Sequence, residues 1–533
     1  MIKPHVDNLW LIALASKCKW ISSSNAIILA FVSFLSWLIL NLIFWAHPGG
    51  PAWGRLRWTR LSSRARVIPG PRGVPVVGSM GLMAGLAHRR LNSAAESCGA
   101  KRLMAFSLGQ TRAVVTCDPD VARDILNGSA FVDRPAKESA YELMFGRSMG
   151  FAPYGVYWTT LRRIASAHLF CPKQLKASAQ HRLEIANQVA AILECSRGDG
   201  GGGGCDIRVR DVLKLASLNN MMYSVFGRRY VLDPNNSETA ELRDLVEEGY
   251  HLLGQLNWSD HFSFLADFDV QNIRSRCARM APRVNRIVGG IMAEHKDRTD
   301  GRDFVDVLQS LQGPDKLSES DMISLLWEMI FRGTDTVAVL MEWILARLVL
   351  HRDVQSRVQH ELDGVVGRSR AVTESDLVEL GYLTAVVKEV LRLHPPGPLL
   401  SWSRLSIRDS TVGGHRVPAG TTAMVNMWAI ARDPDYWPDP LSFKPERFLA
   451  GGPEITDLRL APFGSGRRSC PGKGMGMTAV SFWVARLLHE FEFAAAAAAA
   501  AGGVDLSEEL RLSCEMKQPL MVRVRRRIDS FAH

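Results

Sequence analysis

Hydrophobic residues are concentrated first in an uncharged run over residues 26–46, AIILAFVSFLSWLILNLIFWA. A helix of this length crosses the hydrocarbon core of a bilayer. The run is too long for a signal peptide and no small-residue cleavage site follows it, so we expect an uncleaved anchor. Arginines within residues 55–66 outnumber Lys17 and Lys19 on the other flank. The positive-inside rule therefore places the rest of the chain in the cytosol.

Beyond this run, apolar residues recur at helical spacing in a series of segments, and in two places they alternate with polar residues as in strands. Glycine and proline interrupt residues 133–157, which we expect to be irregular. The pattern predicts a mainly α protein with small β-sheets. Helices are predicted at about 119–126, 175–195, 210–226, 237–253, 270–295, 318–351, 382–394 and 471–488, and strands within 103–115 and at 520–527.

Composition and charge exclude several classes of protein. Of the 533 residues, 47% are hydrophobic, which is ample for a core. Lys and Arg total 64 against 54 Asp and Glu, a mild excess that solvated surface usually explains, and no nucleic-acid-binding motif accompanies it. The nine cysteines form no CxxC pair and are odd in number. This argues against a disulfide framework or a zinc site and favours a reduced, cytosol-facing domain.

The most specific chemical signal is one cysteine in a glycine-rich loop, FGSGRRSCPG over residues 463–472. Pro471 is expected to be the first helical residue, which would put Cys470 at a helix N-terminus that favours a thiolate. Arg468 offers a cation to an acidic group. The alternative is a buried structural cysteine, as most lone cysteines are. The full pattern resembles the haem-binding signature of the cytochromes P450, in which the cysteine ligates the haem iron, here formed by Phe463, Gly466, Arg468 and Cys470.

Inside the long predicted helix, the segment FRGTDT over residues 331–336 breaks local rules. Glycine costs about 1 kcal/mol relative to alanine in a helix, and a buried carboxylate needs a partner. Such a breach points to function, the alternative being a kink with a satisfied Asp335. The segment resembles the P450 I-helix motif, which implies that Gly333 makes room for dioxygen, Thr336 holds a water or hydroperoxide and Asp335 relays protons. Arg332 stands where the family has a small residue, and it either narrows the pocket or binds an anion.

Weaker motifs occur in the order that the P450 family has them. Trp158 and Arg162 share one helical face, and by resemblance they contact a haem propionate, although such pairs are common on surfaces. By resemblance Arg404 is a further propionate contact. A Glu and an Arg three residues apart are usually an exposed ion pair. With a second arginine downstream, however, they resemble the structural triad of the family, here Glu389, Arg392 and Arg447.

The resemblance covers the chain from the anchor onward. The segments FRGTDTVAVLMEW and APFGSGRRSCPGK are similar to plant A-type cytochromes P450, and in particular to the KLUH/plastochron group that regulates organ and seed growth. The resemblance implies a P450 fold preceded by an N-terminal transmembrane helix. The expected divisions are a lumenal segment at 1–25, the anchor at 26–46, a basic and proline-rich hinge at 47–78 and the catalytic domain at 79–533.

The activity that the resemblance implies is monooxygenation with haem b. One oxygen atom of O2 would enter a C–H bond of a lipophilic substrate such as a fatty acid, with electrons from NADPH through NADPH-cytochrome P450 reductase. The expected location is the endoplasmic reticulum membrane, single-pass, with the catalytic domain facing the cytosol. Membrane lipid is therefore an expected partner, and nucleic acid is not. The alternatives are a haem-binding sensor and an oxygen-independent P450 that rearranges peroxides, although the latter typically lacks the I-helix acid and threonine.

Two surfaces bear on these partners. The predicted loop at 258–268 holds several aromatic residues, which either pack beneath the loop or dip into the bilayer and admit substrate. Near the cysteine loop, Arg467 and Lys473 would lie on a basic face that docks the acidic reductase.

Overall fold

The computed structural model describes residues 23–59, 66–195, 206–233, 236–296, 303–400, 403–449, 451–496 and 503–527. The predicted lumenal segment at 1–25 lies almost wholly outside these ranges and stays a prediction. Helices dominate the described residues and the strands are short, as the hydrophobic pattern predicts.

The helices are α1 (Ser23–Trp45), α2 (Pro51–Thr59), α3 (Ala87–Ser97), α4 (Pro119–Asn127), α5 (Glu138–Glu142), α6 (Val156–His168), α7 (Pro172–Ala177), α8 (Ala179–Cys195), α9 (Val209–Phe226), α10 (Ser237–Gly254), α11 (Ile273–Lys296), α12 (Phe304–Ser310), α13 (Glu319–Leu350), α14 (Arg352–Val365), α15 (Gly381–Leu393), α16 (Met427–Ile430) and α17 (Lys473–Glu490). The strands are β1 (Met104–Leu108), β2 (Thr111–Thr116), β3 (Ile207–Arg208), β4 (Arg404–Leu405), β5 (Ser410–Val412), β6 (His415–Val417), β7 (Thr422–Val425), β8 (Phe491–Ala495), β9 (Glu508–Leu510), β10 (Cys514–Met516) and β11 (Met521–Arg526). Short 3₁₀ turns lie at Met80–Met83, Phe145–Arg147, Trp258–Asp260, Ser263–Leu265, Gly313–Asp315, Glu374–Val378, Pro445–Phe448 and Gly466–Arg468.

Helix α1 is long and apolar enough to cross a membrane. Its span from Asn25 to Trp45 has 21 residues and a mean hydropathy of 2.5, and its side chains are mostly exposed. An exposed apolar helix of this length is what a bilayer accommodates, and it agrees with the predicted anchor. The carbonyl oxygen of the Asn41 side chain accepts a hydrogen bond from Arg55 Nη2 of α2 at 3.3 Å, which joins the end of α1 to the next helix.

The segment after α1 packs against the first sheet. The indole N–H of Trp53 donates to the carbonyl of Phe106 at 3.0 Å, and the amide of Ala105 donates to the carbonyl of Pro69 at 2.9 Å. The three prolines of the hinge, Pro69, Pro71 and Pro75, lie outside any helix, as their missing N–H groups and fixed φ favour. Helix α2 is absent from the elements predicted above. The hydrophobic pattern of this segment is weak, so the helix is stabilised mainly by the burial of its side chains against β1.

The largest sheet carries one wall of the site. Its strand order is β1-β2-β7-β4, with β2 and β7 parallel and the other pairs antiparallel. The β1–β2 hairpin confirms the strand pair predicted within 103–115. Strand β4 lies at the edge, where Arg404 pairs with Ala423. The other sheets are β3-β11-β8, β9-β10 and β5-β6.

Helix α13 is the longest helix in the described part of the chain. It has 32 residues, most of them buried, and it packs along α9, α15 and α17. The Ser318 hydroxyl caps its first turn by accepting from the Asp321 amide at 3.1 Å. The helix continues through residues 331–336 without interruption. A Cβ at Gly333 would collide with the side chain of Met221, and glycine therefore lets α9 approach α13 closely.

Three predicted boundaries are wrong. Helix α17 begins at Lys473, so Pro471 precedes the helix, and Cys470 lies two residues before the capping Gly472. The helix expected at 175–195 is divided at Ser178 into α7 and α8. The irregular region 133–157 contains the short helix α5, which packs on α11. The local sequence pattern does not fix where a helix begins or ends, because tertiary packing shifts these boundaries by up to about one turn.

Candidate active site

A cavity of about 240 Å³ lies between α13 and the loop that precedes α17. The ends of α9, α15 and β4 complete its walls. Most of its other lining residues are apolar, among them Met329, Leu340, Leu399, Val425 and Val480. The tertiary structure brings predicted site residues from four separate segments to this one space: Trp158, Arg162, Gly333, Thr336, Arg404, Phe463, Arg468 and Cys470.

The sulfur of Cys470 is open to the cavity, while the surrounding loop encloses it on the other sides. The loop is closed by a hydrogen bond from the Cys470 amide to the Phe463 carbonyl at 2.9 Å. Burial raises the pKa of the Cys470 thiol, and the charges of Arg332 and Arg162 oppose that rise, as does the Gly472 amide. Gly472 caps the start of α17, and its amide therefore favours the thiolate of Cys470 in the way that the sequence analysis expected of a helix N-terminus. A metal that binds sulfur would complete the shift to thiolate.

Several arginines line the same cavity. Burial, followed by the charges of Arg468 and Arg162, lowers the pKa of Arg404 to about 9. Burial also lowers the pKa of Arg468 to about 10, although Asp133 lies 3.8 Å from its Nη2. Arg134, which was not predicted, joins them, and burial beside Arg404 and Arg468 holds its pKa well below the usual value. Burial is the main cause of these lowered pKa values, and the charges of neighbouring arginines add to it.

Backbone carbonyls hold these arginines in place. Arg468 donates from Nε to Val132 at 3.0 Å and from Nη2 to Ala152 at 2.7 Å. Arg404 donates from Nη2 to the carbonyl of Ser465 at 3.2 Å. The guanidinium groups are thereby fixed before any ligand binds, which lowers the entropic cost of binding an anion.

Two predicted cofactor-binding residues have positions that the sequence did not anticipate. The indole N–H of Trp158 donates to the Met149 carbonyl at 2.9 Å, and its ring lies under the guanidinium of Arg468 at 4.5 Å. Trp158 therefore supports the arginine as well as lining the cavity. Gly466 has a φ of +70° and packs on the Leu126 carbonyl, where a Cβ would collide. Gly466 does not line the described cavity, and it shapes the loop instead.

Consecutive residues of α13 face different spaces. Thr336 lines the main cavity, and its hydroxyl lies 3.4 Å from the Arg332 carbonyl one turn earlier. Asp335 lines a separate small cavity of about 10 Å³ and pairs with Lys214 Nζ at 3.1 Å. Lys214 in turn lies 3.7 Å from Glu515. A space of this size holds about one water, so Asp335 is connected to a polar chain that leads away from the main cavity.

Helix α13 also brings a glutamate and an arginine to the cavity, about two turns and one turn before Thr336. Glu328 lines the cavity and is only 2% exposed, and burial raises the pKa of its carboxyl group. Arg332, four residues later, lies on the same helical face and lines the same space. The sequence analysis noted Arg332 but missed Glu328. The sequence does contain a signal for Glu328, because a glutamate and an arginine four residues apart inside an apolar helix lie on one face.

The predicted triad forms a buried network behind the cavity. Arg392 donates from Nε to Oε2 of Glu389 at 2.7 Å and from Nη2 to Oε1 at 2.8 Å, with both side chains fully buried. Arg447 donates from Nε to Oε1 at 3.2 Å. The guanidinium of Arg392 also reaches the carbonyls of Ala431 and Pro440. The network therefore ties α15 to the segment that leads to the cysteine loop.

The donor set fits haem b. The cavity presents a sulfur whose coordination to iron would replace the proton, together with cations whose mutual repulsion two propionates would relieve. The apolar lining between them suits a porphyrin. Cys470 could hold the iron, and Arg134, Arg162, Arg404 and Arg468 could hold the propionates.

Comparison with known proteins agrees with this chemistry. The family model of cytochrome P450 matches residues 68–499. Cytochrome P450 78A9 of Arabidopsis thaliana is 60% identical over 526 residues, which cover 97% of both chains. Cytochrome P450 78A3 of Glycine max is 60% identical over 532 residues, which cover 98% of this chain and 99% of that protein. A flavonoid 3',5'-hydroxylase of Crocosmia x crocosmiiflora is 34% identical over 489 residues, covering 87% of this chain and 91% of its own. The chain therefore belongs to the cytochrome P450 family, as a monooxygenase of the plant 78A group whose cofactor is haem b.

Proposed function

We propose that this enzyme inserts one oxygen atom of O2 into a C–H bond of a lipophilic substrate such as a fatty acid. The observation that carries the proposal is that Cys470 and Thr336 border one largely apolar cavity. When bound, haem b supplies the activation of dioxygen and the oxidation of the C–H bond. The apolar walls position the substrate and exclude water from the reacting atoms.

The proposed work of the chain begins with holding the cofactor. The Cys470 sulfur binds the iron as a thiolate, and the Gly472 amide and the charges of Arg332 and Arg162 favour its ionised form. Guanidinium groups held by backbone carbonyls bind the propionates as charge-assisted pairs. The triad of Glu389 keeps the segment before the cysteine loop in register.

Proton supply falls to α13 in this proposal. The Thr336 hydroxyl, open to the cavity, holds a water or hydroperoxide by hydrogen bond. Asp335 receives protons through the small cavity that it shares with Lys214, and it passes them on when its side chain leaves that partner. Gly333 keeps α9 close to α13 beside these groups, and it makes room for dioxygen.

The proposed partners follow from surfaces outside the cavity. Helix α1 anchors the enzyme in the endoplasmic reticulum with the catalytic domain in the cytosol. The side chains of Trp258, Phe264 and Phe268 are about half exposed or more, which supports lipid contact by their loop, whereas Phe262 is buried beneath it. The exposed Arg467 near the cysteine loop supports docking of the acidic NADPH-cytochrome P450 reductase, which delivers the electrons of NADPH.

The biological role that we propose is regulation of plant organ and seed growth through a lipophilic product. The support for this role is the membership of the 78A group together with a site equipped for oxidation.

Product analysis tests the proposed function. Microsomes that carry the full chain and a plant reductase would be given a panel of fatty acids and an apolar plant extract, with and without NADPH, and the products would be identified by mass spectrometry. A hydroxylated product that requires NADPH is the expected result. Peroxide rearrangement without NADPH would contradict it. A normal carbon-monoxide spectrum without any product from panel or extract would favour the haem-sensor alternative.

A further inference from the structure

Five arginines line the main cavity: Arg134, Arg162, Arg332, Arg404 and Arg468. Among the described lining residues, Glu328 is the only carboxylate, and Asp133 lies just behind Arg468 at 3.8 Å. Iron(III), the porphyrin dianion and one thiolate together carry no net charge. The two propionates and Asp133 supply three negative charges, and Glu328 supplies a fourth only when it is ionised, so at least one positive charge remains in the loaded site. Net charge in a desolvated space is costly, and an anionic substrate would neutralise it.

Arg332 is the cavity arginine best placed to meet a substrate. It comes from the middle of α13, one turn before Thr336, on the face that lines the reacting space. The guanidinium of Arg332 can therefore contact a substrate that is bound next to Thr336.

Glu328 shares this corner of the cavity. A Cβ added to Gly150 would collide with Glu328 and lie 3.5 Å from Nη1 of Arg332, so both side chains converge on the space that this glycine leaves open. Glu328 is 2% exposed, and its Oε2 has no hydrogen-bond partner in the described part of the chain. Burial raises the pKa of Glu328, which favours the form with a proton on the carboxyl group. An unpartnered buried oxygen beside a guanidinium points to a ligand group.

We propose that Arg332 binds a carboxylate of the substrate, with Glu328 as a hydrogen-bond donor to the same group, so that the enzyme selects carboxylic acids over their neutral derivatives. This inference rests on the proposed function, because it names the class of molecule that occupies the apolar cavity. A guanidinium and a carboxyl O–H beside each other pair with the two oxygens of a carboxylate. Arg332, where the family has a small residue, is then a determinant of specificity.

The test measures ligand binding to the purified, haem-loaded enzyme by the change in its haem absorption spectrum. Decanoic acid and methyl decanoate are the probes, since they differ in the charge of one end. We expect the acid to bind about tenfold tighter or more, as for a buried hydrogen bond to a charged group. Arg332→Leu should remove this preference while methyl decanoate binding changes less than about threefold, in line with a site that is otherwise apolar.

Three further variants isolate the cause. Arg332→Lys keeps the charge and should retain part of the acid preference, and Glu328→Gln keeps a donor without a charge and should retain it as well. Arg163→Ala removes an exposed arginine beside Arg162, paired with Asp315 at 2.5 Å outside the cavity, and should leave the preference unchanged. Haem content and the carbon-monoxide spectrum are recorded for each variant. If Arg332→Leu fails to load haem, the proposal is tested by the binding of acid and ester to the wild-type enzyme and to Arg332→Lys.

The proposal is overturned if the wild-type enzyme binds ester and acid equally, or if Arg332→Leu weakens both probes alike at full haem content. Equal loss of the preference in Arg163→Ala would also overturn it, because the effect would then be one of overall charge. Turnover distinguishes this inference from the proposed function. NADPH-dependent hydroxylation of both probes without an acid preference rejects the Arg332 site and keeps the monooxygenase of lipophilic substrates. If acid binding depends on Arg332 but no NADPH-dependent product forms, the Arg332 site is kept and the monooxygenase function is rejected.

Discussion

The Nζ of Lys214 lies 3.1 Å from Oδ1 of Asp335, on the side of α13 that faces away from the main cavity. Consecutive helical residues project about 100° apart, so Asp335 faces a small polar cavity while Thr336 faces the large apolar one. In the proposed proton path, α13 therefore separates Asp335 from the space where protons are used. The proposal requires a change in the Asp335 side chain, or a water between the two residues, to connect them during turnover.

Replacement of Asp335 by Asn should slow product formation by on the order of a hundredfold, because a group that donates and accepts protons is lost. The measurement is the steady-state rate together with the solvent deuterium isotope effect, which should increase. Glu247→Gln is the control, since Glu247 lines the same small cavity from a half-exposed position. An unchanged rate and isotope effect in Asp335→Asn would remove Asp335 from the proton path.

Thr336→Ala should consume NADPH while forming less product, since the hydroxyl open to the cavity no longer holds the water or hydroperoxide. Product, NADPH and released hydrogen peroxide are measured together. Thr334→Ala is the matched control, because the Thr334 hydroxyl donates within the helix to the Ile330 carbonyl at 2.7 Å. Coupling that is identical in the two variants would contradict the role of Thr336.

Cys470→Ala should abolish the thiolate-type carbon-monoxide spectrum of the reduced enzyme, because the sulfur open to the cavity is then missing. Cys117→Ala is the control, as Cys117 is buried between α4 and the first sheet, where burial raises its pKa to about 12 and keeps it a thiol. Retention of the spectrum in Cys470→Ala would assign the axial ligand to another residue.

Glu389→Gln should lower the stability of the folded enzyme by about 3–5 kcal/mol, the cost of leaving buried Arg392 with an uncharged partner. Less haem-loaded protein and a lower midpoint of thermal unfolding are the readouts. Glu454→Gln removes the partner of Lys388 at the surface and should change stability by less than about 0.5 kcal/mol. Comparable effects of both substitutions would argue against a structural triad.

Gly333→Ala should destabilise the protein by about 1–3 kcal/mol, because the added methyl group collides with Met221 and forces α9 away from α13. Met221→Ala in the same chain should recover much of the loss, which thermal unfolding of the single and double variants measures. In Gly290→Ala, on α11, the new methyl group meets nothing within 4 Å. This control should gain stability, as alanine does over glycine in a helix. Failure of the double variant to recover would place the role of Gly333 elsewhere.

The anchor, most helices and the cysteine loop could be predicted because each is encoded within a short stretch. An uncharged run over residues 26–46 reads as a spanning helix without any other part of the chain. The spacing of Phe463, Gly466, Arg468 and Cys470 is likewise a local property, and so is the occurrence of Asp335 and Thr336 side by side. These residues could therefore be named as a site before any fold was known.

Long-range packing determined the rest. Arg134 reaches the cavity because its loop folds onto β4, far away in sequence, and Glu328 faces the cavity because of how α13 is rotated. The same rotation turns Asp335 toward Lys214, and Gly333 meets Met221 because α9 crosses there. Covalent spacing sets which residue types are neighbours along the chain. The direction in which a helical side chain points is set by the free energy of burying one helical face against partners hundreds of residues apart, and no local pattern contains those partners.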